Sequence, residues 1–302
     1  MSGIFIIQFV VVGISMGAVY ALIALGFTTI FRASNIVNFA QGEFVMLGGL
    51  LTNFFLLTCG FAYPLSAVLA IMGVVLVGIG LQVLVIHPIR QAGVLIMIMG
   101  TLGASMVISN IPVPISYLPK LGYLRDPFVL PPITTAIESV AIAGARISTQ
   151  RLWAIVASLV ILGVLYYFSN YTRTGKAMES SATDPLAAQL VGIRVERMVQ
   201  YSFAISAAVG AIGGILITPI FNMAFNSGAL LGLKGFVAAV LGGWGKISGA
   251  VLGGFVLGVV ESLCVGLIPE YGSRYQQMWA FIILIAILYF RPKGILGSDA
   301  VE

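Results

Sequence analysis

The chain has 302 residues, 60% of them hydrophobic and only 8% charged, with a formal net charge of +5. A soluble globular domain carries about 25% charged residues, so most of this surface cannot face water, and the sequence describes an integral membrane protein. Two cysteines and a single histidine exclude a disulfide scaffold, a His/Cys metal cluster and a Ser-His-Asp triad, and neither catalysis nor a cofactor is expected.

A hydrocarbon core about 30 Å thick takes roughly 20 apolar residues per helix. The runs here are continuous and rich in Gly, Ala, Leu, Ile and Val, which reads as helices and not as the alternating strands of a barrel. Nine segments fall at approximately 5–30, 36–58, 63–86, 94–115, 152–170, 199–222, 229–245, 249–268 and 276–290. The first positive charge is Arg32, so the N-terminus lacks the basic region of a removable signal peptide and the first helix is expected to stay.

The second segment opens with NIVNFAQGEFVML. At about 100° per residue, Asn35, Asn38, Gln41, Gly42, Gly49 and Asn53 share an arc of roughly 120° on a helix, while Glu43 lies about 80° beyond its rim. Amides facing lipid are expensive, so this side should turn inward, either to cross-link helices or to line a path for a substrate. Glu43 is free to pair with another helix. His87, before Pro88, marks a helix end, and Cys59 and Cys264 fall in or at the ends of apolar segments. The proline-rich LRDPFVLPPITTAIES suits an ordered external loop or lid over about 117–151, not a spanning helix.

The most polar stretch is TRTGKAMESSATDPLAAQLVGIRVERM, within a loop over about 171–198. Thr183 or Asp184 can cap a helix, Pro185 suits its first position and Gly192 the residue past its end, which predicts a short helix over 185–191. Its apolar members Leu186, Ala187, Leu190 and Val191 would lie exposed, as if made for a partner; an ordinary interhelical loop is the alternative.

GGWGKISG contains Gly-Lys, but Ile247 stands where a P-loop needs Ser or Thr, and TGKAM fails likewise, so any ATP must be hydrolysed by another chain. The segments flanking GGWGKISG are short and Gly-interrupted, and form either two helices or one re-entrant hairpin, giving an all-α polytopic bundle of eight to ten transmembrane helices in one domain, 1–302. Small residues recur every four positions at Gly13, Gly17, Ala21, at Ser206, Gly210, Gly214 and at Ala250, Gly254, Gly258, a spacing that lets helix backbones approach closely in lipid. Glu261 shares the face of Gly258 and serves either a path or an interhelical hydrogen bond.

With the 171–198 loop cytoplasmic, Arg32, Arg90, Arg173, Lys176, Arg194, Arg197, Lys246, Arg291 and Lys293 all lie inside. Lys120, Arg125, Arg146, Arg151 and Arg274 fall outside, and Lys234 is ambiguous. The N-terminus is then outside and the C-terminus cytoplasmic. The positive balance reads as loop charge that orients the chain, not as a nucleic-acid footprint.

Taken in order, MGAVYALIALGFTTIFRASNIVNFAQGEFVMLGG, GKAMESSATDPLAAQLVGI, GLKGFVAAVLGGWGKISGAVLGG and FRPKGILG resemble the permease subunits of branched-chain amino acid ABC transporters, especially the H-type member of the permease pair. Related permeases for urea, short amides, aromatic acids and some sugars share parts of these strings. The resemblance implies a subunit of the bacterial inner membrane, pairing with a second permease, two cytoplasmic ATPases and a periplasmic binding protein. It implies too that the 185–191 helix is a coupling helix seated in an ATPase groove, and that access alternates between the two sides for branched-chain or other hydrophobic amino acids. Glu179 departs from the pattern, standing after GKAM where the family leads one to expect a basic residue. The competing readings are a secondary transporter without ATP, which would need Glu43 or Glu261 as an ion relay, and an intramembrane enzyme, for which no nucleophile and base pair is visible.

Overall fold

The computed structural model describes residues 3–90, 92–112, 128–131, 139–142, 145–268, 272 and 274–297. Its first helix, α1 (Gly3–Ser34), is the central post. Every residue from Ala18 to Leu25 is buried, so this stretch is enclosed on all sides and meets protein where an outer helix would meet lipid. Around it stand α2 (Gln41–Asn53), α3 (Tyr63–Leu81), α4 (Val94–Asn110), α5 (Thr149–Tyr171), α8 (Val195–Ile217), α9 (Ser227–Gly242), α10 (Ile247–Leu267) and α11 (Gln276–Phe290). Two shorter helices, α6 (Arg173–Thr183) and α7 (Pro185–Leu190), join α5 to α8 at one end. Among the described residues, nine apolar helical segments make an all-α polytopic membrane protein.

Glycine decides how close the post comes to its neighbours. Two of the three small-residue triplets meet each other: a Cβ on Gly258 would run into the backbone of Gly17 and Gly13, and one on Gly254 into Ala21. The third lies along α2, with Gly210 against Phe44 and Gly214 against Val45. Lipid tails are as apolar as leucine, so helix association here rests on close van der Waals contact and interhelical hydrogen bonds.

The second segment begins later than its apolar pattern. Asn35 takes a left-handed conformation (φ 55°) and ends α1, residues 36–40 form a bend, and α2 starts at Gln41. An α2 helix arc therefore includes neither Asn35 nor Asn38. The helix then widens into a π-turn at Phe54–Thr58, and α3 does the same at Gln82–Ile86 before Pro88, a residue with no N–H for the ladder. His87 sits near the end of α3 as expected, and its Nε2 lies 2.7 Å from Glu196 on α8.

The segments flanking GGWGKISG form two helices, α9 and α10, joined by a turn in which Gly243 (φ 113°) and Gly245 (φ 80°) take conformations that favour glycine. At 1.5 Å per residue the 16 residues of α9 reach only about 24 Å. Its terminal carbonyls are satisfied by the returning tail: Ile295 N–H donates to Leu241 O at 2.9 Å and Leu296 N–H to Gly242 O at 3.0 Å. In the long segment between α4 and α5, β1 (Ser139–Ile142) pairs antiparallel with β2 (Ala145–Ser148), and Phe128 bridges Met223 through backbone hydrogen bonds. The expected 117–151 loop ends sooner, since Thr149–Arg151 form the first turn of α5; its residues 117–127, 132–138 and 143–144, including most of the proline-rich run, lie outside the described residues.

The α1–α10 contact generates a stability prediction. Alanine at Gly258 must push the two backbones apart and should cost about 1–3 kcal/mol, read as a lower midpoint of thermal unfolding in detergent. Alanine at Gly80, where nothing lies within 4 Å of the added methyl, should leave that midpoint unchanged or raise it. Equal midpoints for the two variants would contradict the close contact.

Candidate functional site

The polar stretch after α1 divides among several partners. Asn35 is exposed at the end of α1 and its Nδ2 donates to Ala182 O of α6 at 2.8 Å. Asn38 is fully buried in the bend, where its Oδ1 accepts from Ala40 N–H at 3.1 Å while its Nδ2 has no partner. Gln41 ties three helices: its Nε2 donates to Ser206 O at 3.3 Å, and the Ser206 hydroxyl reaches both Gln41 Oε1 and Gly26 O. A side chain on Gly26 would occupy the place of the Gln41 amide, so glycine there is what admits it.

Gly42 abuts Gly228 and Gly232 of α9, and Gly49 abuts Thr218 at the end of α8. Glu43 points to a different neighbour, α4, where its Oε1 accepts from the Ser105 hydroxyl at 2.9 Å. Its Oε2 and both polar atoms of Asn53 are buried without a partner. The structure thus joins Gln41 to Ser206 and Glu43 to Ser105, and separates Asn35 from the rest. Orphaned buried polar atoms are uncommon and call for a reason; among the described residues three of the ten lie on α2 and one in the bend before it, the others being spread over α3, α5 and α10.

At the end of the bundle where α1 finishes, Asp184 caps α7: its Oδ1 accepts from Leu186 and Ala187 N–H, each at 3.0 Å. Thr183 instead returns its hydroxyl to Glu179 O. At the far end Ile193 N–H donates to Ala188 O and Gly192 N–H to Gln189 O, with Gly192 at φ 85°, the Schellman stop. Pro185 occupies the first turn. Leu186, Leu190 and Val191 are 74%, 89% and 76% exposed, Ala187 is exposed too, and within the helix only Ala188 is buried.

This end also carries charge. Arg32 lies 2.6 Å from Glu179, which gives the unexpected carboxylate at that position a partner, and Arg90 lies 4.0 Å from Glu196. Two clefts of about 900 and about 640 Å³ flank the α6–α7 corner, the first lined by Gln82, Gln189 and Arg194, the second by Asn35, Thr183 and Lys246.

A polar pair that composition left unresolved sits inside the bundle. Lys234 on α9 lies 2.5 Å from Glu261 on α10 and donates to the Tyr20 hydroxyl of α1 at 3.1 Å. Of the two roles open to Glu261, the interhelical hydrogen bond is present, with Lys234 as its partner. The available signal was a lone cation within LLGLKGFVAAV, since a charge in such a helix requires a counter-charge from a neighbour.

Five described helices are long and apolar enough to span a bilayer, and Val94–Asn110, Ser227–Gly242 and Gln276–Phe290 are shorter apolar helices. Together they define a multi-pass membrane protein. Residues 9–289 match the family described as branched-chain amino acid transport system / permease component, and the chain belongs to that family. It is 30% identical to the high-affinity branched-chain amino acid transport system permease protein LivH of Salmonella typhimurium, covering 96% of this chain and 95% of that one. Identity to the corresponding permease protein BraD of Pseudomonas aeruginosa is 32%, over 98% and 97% of the two chains. A solved structure, PsaBC from Streptococcus pneumoniae in complex with Fab, shares the fold with a TM-score of 0.51 and 14% identity, covering 96% of this chain and 91% of that one.

The cap on α7 can be tested directly. Asp184→Ala should cost the helix about 1 kcal/mol and speed deuterium uptake of its amides roughly fivefold, whereas Asp184→Asn should stay close to the parent. Identical uptake by all three proteins would show that the cap does not hold the helix.

Proposed function

We propose that this chain is the membrane-spanning permease subunit of an ATP-driven importer for branched-chain or other hydrophobic amino acids. It works with a second permease subunit, two cytoplasmic ATPases and an external substrate-binding protein. The observation that carries the reading is α7: a two-turn helix, stopped at both ends by its own sequence, with its leucines bare to solvent at the basic end of a bundle of this family. By the positive-inside rule that end faces the cytoplasm and the N-terminus lies outside. We assign α7 and its flanks, Thr183 to Gly192, to an ATPase groove.

We place the substrate path along α2, with Asn35 at its inner mouth and Asn38, Gln41, Gly42, Glu43 and Gly49 along it. The buried polar atoms without partners on this helix support that course, because a polar seam held closed between helices has the character of an occluded path. Aliphatic, amide and glycine surfaces also suit a zwitterion with an apolar side chain, which the path must hold weakly while the binding protein selects it.

Arginine at Ala187 would set a charge and bulk into the docked face; burying that charge unpaired should cost several kcal/mol. The variant is expected to reach the membrane with its sister permease and to lose both ATPase association and substrate-stimulated hydrolysis; normal transport by it would remove α7 from the coupling role. Along the path, Gln41→Leu should reduce amino-acid uptake at least tenfold in vesicles that hold the assembled complex. Full uptake would confine Gln41 to a packing role.

A further inference from the structure

At the end of the bundle opposite α7, the start of α9 faces a cavity of about 250 Å³ shared with α1, the end of α8 and the start of α11. Its walls include Met16, Ile217, Leu230 and Leu231, and its polar members include Lys234, Gln276 and Gln277. Lys234 is the charged group on this lining. An ammonium has three N–H donors: one goes to Tyr20 Oη at 3.1 Å and one to Glu261 Oε1 at 2.5 Å. The third has no acceptor among the described residues, and the side chain, 13% exposed, looks onto the cavity.

We infer that this cavity is an outward-side receiving site for a zwitterionic amino acid with an apolar side chain, whose carboxylate takes the third N–H of Lys234. This rests on the import reading above and names where the substrate first meets the permease. The side chain of the ligand lies against Met16, Leu230 and Leu231, and the amide oxygens of Gln276 and Gln277 accept from its ammonium. Glu261 and Tyr20 are positioning residues: their hydrogen bonds hold the ammonium at the cavity wall.

The pairing also sets the strength of binding. A lone buried lysine would grip a carboxylate in a low-dielectric site, whereas one already neutralised by Glu261 presents only the positive end of a dipole. That suits a site that must release its ligand. The same helix α9 meets Gly42 of α2, so the receiving cavity and the α2 seam share a wall.

The test uses the assembled transporter without its binding protein, in phosphatidylcholine nanodiscs, and a leucine analogue carrying a diazirine in its side chain. Irradiation should label peptides containing Met16, Leu230 or Leu231, with leucine competing at least tenfold better than leucinamide, which lacks the carboxylate. The charge-neutral double variant Lys234→Met/Glu261→Gln and the cavity-filling Leu230→Trp, which leaves the ion pair in place, should each lower labelling at least tenfold while eluting as assembled complexes. Labelling elsewhere, equal competition by leucinamide, or full labelling of Leu230→Trp overturns the site. Label that resists leucine but is displaced when phosphatidylglycerol enters the discs assigns the cavity to a lipid headgroup and overturns it too. In parallel, leucine uptake by the unaltered complex with its binding protein separates the two readings: no uptake sinks the import function, while uptake with an unlabelled cavity sinks this inference alone.

Discussion

Inside a bilayer there is no water to satisfy a stray polar group and no hydrophobic gain in bringing two helices together, so this structure depends on backbones that touch. The contact of α1 with α10 through Gly13, Gly17, Gly254 and Gly258 is the basis of the bundle. Because α1 is enclosed along Ala18–Leu25, its other neighbours are fixed relative to one post, and the polar side chains they carry arrive at set places.

Those places fall into two kinds. Gln41 with Ser206 and Glu43 with Ser105 are interhelical hydrogen bonds that tie α2 to α8 and α4, and the unpaired atoms nearby lie along the same helix. Lys234 with Glu261 is a charge pair, which breaks even against desolvation only when geometry and further hydrogen bonds are good, as Tyr20 provides here. The first arrangement makes α2 a seam; the second puts a neutralised but polar group beside an apolar cavity.

The basic end follows a different logic, since water and a polar headgroup region are available there. The cap at Asp184 and the stop at Gly192 close α7 at both ends through its own sequence, and the Arg32–Glu179 pair ties α6 to the end of the central post. α7 is thus joined to α1 by way of α6 and to α8 by way of Ile193.

How much of this could be read from the chain depends on the range of the interaction. Membrane class, the apolar helical segments and the caps of α7 are local: they follow from run length, from Asp184 and Pro185, and from a glycine at 192, and each holds among the described residues. The small-residue triplets were legible as close-contact faces, though not which face meets which. The beginning of α2 was misplaced because Asn35 and Asn38 fit a helical period, while a left-handed Asn35 and the contact of Phe39 N–H with Thr101 favour a bend. Lys234 and Glu261 stand 27 residues apart on separate helices, and Tyr20 and Lys234 are 214 apart. The sequence determined that each needed a partner, since neither charge can be left alone in lipid; only the crossing of α1, α9 and α10 decided that they would be each other's.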